Sequence, residues 1–194
     1  MIILFISSGL FLGWTLGAND AANIFGSAVG SRMVSFTRAA VIASVFVILG
    51  AVLQGSGASD TLGRLGSVNA IGGAFTVALA AGITVYMMTK AGLPVSTTQA
   101  IVGAIIGWNI FTDNAVDSKS LTQIVSTWIT GPIIGALFAY LLYHMIKVIR
   151  RRIKVHLLFY ESYIRTGLLI TGAFGAFSLG ANNIANVMGV FVPA

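Results

Sequence analysis

Asparagine and aspartate residues occur in this chain inside long apolar stretches, within two copies of one short phrase. The first copy is GANDAAN at residues 17–23, and the second is GANNIAN at residues 180–186. Carboxylate and amide oxygens are hard ligands that suit cations, and amide N–H groups can donate to an anion. Because polar groups in membrane-length apolar segments are costly, we interpret both copies as parts of an ion-binding site.

A third polar segment, PVSTTQA at residues 94–100, supports the same interpretation. Ser96 and Gln99 match the capping box, which predicts that a helix begins there. In the first phrase, Gly-Ala followed by Asn19 and Asp20 predicts a helix break and a new N-terminus. The N–H groups and dipole of a helix N-terminus suit an anion. We therefore expect broken helices whose first turns converge on one anion near the membrane midplane.

Asp20 would repel an anion directly, so we expect it to hold a cation next to the anion. Binding of the two ions would then be linked, because loss of the cation would push the anion out. A proton on Asp20 would serve the same purpose. The residues alone do not choose between Na⁺ and H⁺.

The composition places the chain in a lipid bilayer. Hydrophobic residues make up 57% of it and charged residues only 8%, whereas about a quarter of the residues of a soluble domain are charged. The chain has no cysteine, which excludes disulfides and thiolate chemistry. Intervals of about 20 uncharged residues predict membrane helices. Six occur and predict an all-α membrane protein: 1–19, 39–59, 65–89, 91–112, 120–146 and 166–194.

The basic residues predict the orientation in the cell membrane. Five of them follow the fifth span: Lys147, Arg150, Arg151, Arg152 and Lys154. Under the positive-inside rule they mark a cytoplasmic loop at residues 147–154, which places Met1 outside. Eight basic residues then lie inside and two outside, with Arg165 unassigned. Membrane-flanking positions account for the net charge of +6, so we expect no nucleic-acid partner.

The two phrases belong to a longer repeat. A shift of 163 residues aligns ten identical residues across the 21 positions 9–29. Five spans, an odd number, separate the copies, so the second copy enters the membrane from the opposite side. This pattern is typical of inverted-repeat secondary transporters. We predict a first repeat of about five spans at residues 1–149, a basic loop at 150–156 and the start of a second repeat at 157–194.

The string GANDAANIFGSAVGS at residues 17–31, the second GAN phrase and PVSTTQA together resemble the inorganic phosphate transporter (PiT) family. The resemblance implies symport of inorganic phosphate with Na⁺ as coupling ion, by alternating access and without enzymatic activity. Family members are considerably longer, which implies a remaining C-terminal half as partner. A homodimer is left open. Asn183 stands where the family usually has Asp.

The motifs and the resemblance together define two expected sets of ligands. The phosphate-binding residues expected are Asp20, Ala21, Asn23, Ser96, Thr97, Thr98, Asn183 and Asn186. The Na⁺-binding residues expected are Asn19, Asp20, Asn23, Ser96, Thr97 and Asn182.

Two other functions compete with phosphate transport. One is a permease for another tetrahedral oxyanion, such as sulfate. The other is a membrane-embedded enzyme acting on a phosphorylated lipid. An enzyme needs a nucleophile and an acid–base pair within reach, yet Asp20 is the only acid in an apolar segment. We therefore favour transport.

The predicted orientation can be tested with single cysteines, since the chain has none of its own. Cysteines placed at Ser59 and Ser118 are expected to react with an impermeant thiol reagent applied to whole cells. A cysteine at Val155 is expected to react only after the cells are opened, because the basic cluster holds that segment inside. Reversed labelling would contradict the orientation.

Overall fold

A computed structural model describes residues 2–56, 62, 65–66, 68, 71–152 and 157–191. In these ranges the chain folds into helices that follow the predicted spans in order, so the all-α prediction is confirmed. The helices are α1 (Ile2–Gly30), α2 (Phe36–Gln54), α3 (Ile71–Lys90), α4 (Thr97–Phe111), α5 (Ser118–Arg152) and α6 (Leu157–Met188).

Four helices in the described part of the chain are long and apolar enough to cross a bilayer. They are α2, α3, α5 and the Phe159–Met188 part of α6. Helix α4 has only 15 residues, fewer than the roughly 20 that a spanning helix needs. The chain is thus a multi-pass membrane protein in which one predicted span, 91–112, is shortened.

The breaks expected at the two GAN phrases are absent, and this prediction is wrong. Helix α1 runs without interruption through residues 17–23, and α6 does the same through 180–186. A glycine inside a helix costs only about 1 kcal/mol relative to alanine. Four of the Asn and Asp side chains do not compete for their own backbone here, because they bond to other helices: Asn19, Asp20, Asn183 and Asn186. Each phrase is therefore a polar stripe on an intact helix.

A break does exist between α3 and α4. Gly92 adopts φ +71, a conformation that glycine reaches at little cost, and residues 93–96 are not helical. Helix α4 then begins with the side chain of Ser96 accepting a hydrogen bond from the Gln99 backbone N–H, at 3.3 Å. The helix start predicted from the capping pattern is confirmed.

Helices α3 and α4 form a hairpin that stops part of the way along α1. Helices α1 and α3 run side by side in the same direction, with the Phe5 and Phe75 rings 6.0 Å apart near one end. Near the other end Asn19 contacts Thr89. The hairpin tip at residues 91–96 is thus level with Asp20, while α1 continues for about 15 Å to Gly30.

The contact between α1 and α6 shows the inverted repeat directly. The two helices are antiparallel, and Asp20 bonds to Asn183, the residue 163 positions later. Each of these two residues is the other's counterpart under the repeat shift, so they lie on the local two-fold axis. The flanking contacts follow the same symmetry approximately: Gly9 faces Phe191, and its counterpart Gly172 faces Phe25, three residues from the counterpart of Phe191.

Helices α2 and α6 pack with their backbones in direct contact. A Cβ added at Gly50 would overlap the carbonyl oxygen of Phe177, and one added at Gly180 would overlap that of Val47. Small residues at membrane helix interfaces allow this approach. The contact fixes α6, and with it the second GAN phrase, against the first repeat.

The basic segment is partly helical. Helix α5 continues to Arg152, so the first three residues of the loop predicted at 150–156 belong to its last turn. Residues 153–156, which include Val155, lie outside the described residues, as does Ser59. The orientation and the domain division stay predictions.

Replacing Gly180 with alanine is expected to lower stability by about 1–3 kcal/mol, because the added methyl group overpacks the α2–α6 contact. The matched control is Gly103→Ala in α4, where no atom lies within 4 Å of an added Cβ. Unfolding midpoints in detergent micelles measure both. Equal midpoints for the two variants would refute the backbone contact.

Candidate ion-binding site

Asp20 lies where three helices meet. Its side chain is 8% exposed and accepts a hydrogen bond from Nδ2 of Asn183 on α6, with Oδ2 as acceptor, at 2.9 Å. Oγ1 of Thr97, the first residue of α4, donates to the same oxygen at 3.4 Å. The carboxylate therefore joins both GAN phrases and the hairpin tip in one cluster.

Asn186 extends the cluster along α6. Its side chain is 1% exposed, and its Nδ2 lies 3.0 Å from Oγ1 of Thr98 and 3.0 Å from Oδ1 of Asn183. Asn183 thus donates to Asp20 and accepts from Asn186. The second GAN phrase and the Ser-Thr-Thr segment are connected side chain to side chain.

Asn19 connects α1 to the other side of the hairpin. With its amide nitrogen towards the hairpin tip, it donates to Oδ1 of Asp20 at 3.3 Å and to the Val95 carbonyl at 3.0 Å. Its oxygen then accepts from Oγ1 of Thr89 at 3.0 Å. Because an amide can present either its oxygen or its N–H groups, Asn19 suits a cation or an acceptor equally.

The N-terminus of α4 lies in this cluster. The first backbone N–H groups of a helix have no partner within the helix, and they carry its positive dipole end. Ser96 satisfies one of them, at Gln99. The hydroxyls of Thr97 and Thr98 lie on the same first turn and contact Asp20 and Asn186. An anion would find backbone and hydroxyl donors together here.

The cluster carries one carboxylate that no basic side chain pairs with. In the described ranges the only ion pair joins Arg165 to Glu161 at 2.7 Å, on the exposed surface of α6. Only amide and hydroxyl dipoles thus stabilise the charge of Asp20. An unpaired carboxylate in an apolar environment favours the binding of a cation.

A cavity of about 200 Å³ adjoins the cluster. Asn182, Asn186 and Thr98 line it on the cluster side, and Thr127 and Trp128 of α5 line it opposite. The cavity gives space for an ion next to the amides of the second phrase.

The predicted site residues divide into two groups. The first comprises residues that hydrogen bonds bring together: Asn19, Asp20, Thr97, Thr98, Asn183 and Asn186. The second comprises residues that are exposed around the cluster: Ala21, Asn23, Ser96 and Asn182. Asn182 lines the cavity and Ser96 caps α4. Ala21 lines an apolar groove next to Asn183, and Asn23 is exposed without a side-chain hydrogen bond to the cluster. Ligand roles for all of them stay predictions.

Thr89 and Thr127 were missed by the sequence analysis. Thr89 lies three residues before the positive-φ Gly92 and holds Asn19, so its position just before a helix break could have indicated it. Thr127 belongs to a regular apolar helix and bonds to its own backbone at Gln123. No signal in the sequence distinguishes it from other membrane threonines.

Comparison with known proteins gives consistent matches. The model of the phosphate transporter family matches residues 16–160. A candidate phosphate permease of Chlamydia trachomatis is 34% identical over 158 residues, which cover 76% of this chain and 37% of that protein. One from Pyrococcus furiosus is also 34% identical, covering 76% and 38%. The chloroplastic inorganic phosphate transporter 2-1 of Arabidopsis thaliana is 33% identical, covering 72% and 26%.

A solved structure shares the fold. It is described as the sodium-dependent phosphate transporter, and it superimposes with a TM-score of 0.83 at 23% identity. The superposition covers 99% of this chain and 66% of that one. The chain spans little more than a third of the length of the bacterial and archaeal relatives that it matches.

The Asn183–Asp20 bond can be tested by Asn183→Asp, which places two carboxylates at hydrogen-bonding distance in an apolar environment. We expect a clear loss of thermal stability at neutral pH, recovered in acid when one carboxyl binds a proton. The control is Asn182→Asp at an exposed position, where the midpoint should change little. A stable Asn183→Asp variant whose unfolding midpoint does not change with pH would contradict the close contact between residues 20 and 183.

Proposed function

This chain belongs to the phosphate transporter family, and on that premise we propose that it forms part of the binding site of a Na⁺-coupled inorganic phosphate symporter. The observation that supports this most strongly is the cluster around Asp20. There, both GAN phrases and the hairpin tip meet through side-chain hydrogen bonds. Among the residues that the structure describes, no basic group bonds to the cluster, so a transported anion would have to be balanced by dipoles and by a second ion.

The phosphate is proposed to bind at the N-terminus of α4. Thr97 and Thr98 supply hydroxyl and backbone donors there, and Asn183 and Asn186 supply amide N–H groups. Dipolar donors of this kind stabilise an anion. They hold it less permanently than a buried Arg or Lys would, which suits an ion that must be released on the other side of the membrane.

The Na⁺ ion is proposed to bind on the α1 side of the cluster. Asp20 offers a carboxylate, and Oγ1 of Thr97 lies 3.4 Å from it. The amide of Asn19 lies 3.3 Å from the same carboxylate and 3.0 Å from the Val95 carbonyl oxygen. These are the hard oxygen ligands that Na⁺ prefers, as other hard cations do. Neutralising Asp20 removes its repulsion of the phosphate, so each ion raises the affinity for the other.

The inverted repeat supports an alternating-access mechanism. Asp20 and Asn183 lie on the local two-fold axis between antiparallel helices, so a site at this position is approached in equivalent ways from either side of the membrane. Inverted repeats with sites at their interface commonly work by movement of one part against another. The α3–α4 hairpin, which ends at the site, is the element whose position would change access.

We expect Asp20→Asn to abolish Na⁺-driven phosphate uptake and leave the protein folded, since asparagine retains an acceptor oxygen for Asn183 and Thr97 but no charge for the cation. Labelled phosphate uptake into proteoliposomes of the full-length protein, with and without an inward Na⁺ gradient, measures this. Unchanged Na⁺-dependent uptake would refute the cation role. Competition by unlabelled sulfate as strong as that by phosphate would favour the other oxyanion.

Thr97→Val and Thr98→Val are each expected to weaken uptake, because valine keeps the shape but leaves a buried partner unsatisfied at a cost of about 1–3 kcal/mol. The matched control is Thr84→Val, since Thr84 bonds only to the Ala80 carbonyl of its own helix. Phosphate concentration curves separate an affinity loss from misfolding. Equal curves for Thr84→Val and Thr98→Val would argue against the α4 site.

A further inference from the structure

We propose that Thr127 of α5 accepts a hydrogen bond from the O–H group of a protonated oxyanion, and that this contact makes the site select hydrogen phosphate over sulfate. The anion is the one proposed above to bind at the N-terminus of α4, so the inference rests on the proposed function and adds the chemical form of its substrate. Phosphate carries at least one O–H group at neutral pH, whereas sulfate carries none.

The cavity of about 200 Å³ beside the cluster brings α5 opposite the N-terminus of α4. Thr98 lines it from α4, Asn182 and Asn186 line it from α6, and Thr127 lines it from α5. Other parts of its wall are apolar or aromatic, as at Ile124 and Trp128. Among the described residues that line it, none is acidic or basic. Neutral hydrogen-bonding groups therefore determine which ion fits this cavity.

The α4 side of the cavity offers a donor. Oγ1 of Thr98 accepts a hydrogen bond from Nδ2 of Asn186 at 3.0 Å, and that bond does not use the hydroxyl proton of Thr98. A hydroxyl group has one donor and two acceptor positions. Thr98 can therefore donate to an anion in the cavity while it stays bonded to Asn186.

The α5 and α6 sides of the cavity offer acceptors. The Thr127 hydroxyl donates to the Gln123 carbonyl of its own helix at 2.9 Å, which leaves its Oγ1 able only to accept. Asn186 uses Nδ2 in both of its hydrogen bonds, and no donor in the described part of the chain bonds to its Oδ1. The side chain of Asn186 is 1% exposed. A spare acceptor on so buried a side chain favours an occupant that can donate.

This placement of donors and acceptors distinguishes the two oxyanions. A phosphate oxygen that carries a proton can donate to Thr127, while the unprotonated oxygens accept from Thr98 and from the backbone N–H groups of α4. Sulfate has only acceptor oxygens, so one of them would face the Thr127 oxygen with no proton between them. A site built to bind a substrate O–H group discriminates strongly against an analogue that lacks it, because the polar group of the site is left unpaired.

Fluorophosphate gives the sharpest test, because fluorine replaces the O–H group of hydrogen phosphate and the charge and tetrahedral shape are retained. Uptake of labelled phosphate into proteoliposomes of the full-length protein is measured against unlabelled phosphate, fluorophosphate or sulfate. We expect the unmodified protein to prefer phosphate over both competitors. Thr127→Val should reduce each preference about fivefold, since one hydrogen bond to the O–H group is lost. Thr127→Ser should retain the preference.

The matched control is Thr130→Val, three residues further along α5. Thr130 makes the same kind of bond as Thr127, from its hydroxyl to the Ser126 carbonyl at 2.9 Å, but it does not line the cavity. This variant therefore makes the same change to the same helix without removing an acceptor from the cavity. Its preference for phosphate should equal that of the unmodified protein.

Equal preferences in the Thr127→Val variant and the unmodified protein would overturn the assignment of Thr127. Phosphate uptake by the unmodified protein without preference over fluorophosphate would also overturn it, and this measurement needs no variant to fold. A Thr127→Val variant that needs more Na⁺ but keeps its anion preference would assign the oxygen to a cation and so refute the proposal. Absence of phosphate uptake by the unmodified protein would refute the proposed function itself, and this inference with it.

Discussion

The structure depends on one constraint, which is the placement of the unpaired carboxylate of Asp20 between apolar helices. No basic side chain in the described ranges pairs with it, and its hydrogen bonds come from Asn183 and Thr97 in other parts of the chain. Those bonds require α1, the hairpin tip and α6 to meet at one point. The meeting of the three elements thus gives the carboxylate hydrogen-bond donors inside an apolar environment.

The site combines side chains from two continuous helices with the backbone of an interrupted segment. Helices α1 and α6 remain continuous and carry the polar side chains as stripes on their surfaces. The hairpin supplies what continuous helices cannot, namely free backbone N–H groups at the depth of Asp20. Irregular backbone inside a membrane is tolerated where it lines a cavity or is buried in protein. Within the segment between Gly92 and Thr97, the Val95 carbonyl meets this condition through its contact with Asn19, whereas Leu93 is exposed.

Much of the fold could be predicted from the sequence, but the helix breaks expected at the two GAN phrases do not exist. Apolar intervals gave the number and order of the helices, the repeat shift gave the antiparallel pair, and Ser96 marked the start of α4. Gly17 was expected to end a helix and does not. Local propensity cannot decide this, since Gly92 lies at a helix break with a positive φ, whereas Gly17 and Gly180 lie inside continuous helices. Thr98, by contrast, was selected from the STTQ segment alone, and its contact with Asn186 places it in the cluster.

The position of Asn183 on the two-fold axis explains why asparagine is favourable there. A residue on such an axis faces its own counterpart, so an aspartate at 183 would meet Asp20 at hydrogen-bonding distance. Two carboxylates that close cannot both stay ionised in an apolar environment unless a cation lies between them. Asn183 instead donates to Asp20 and still accepts from Asn186. One negative charge therefore remains on the axis, where two aspartates would place two.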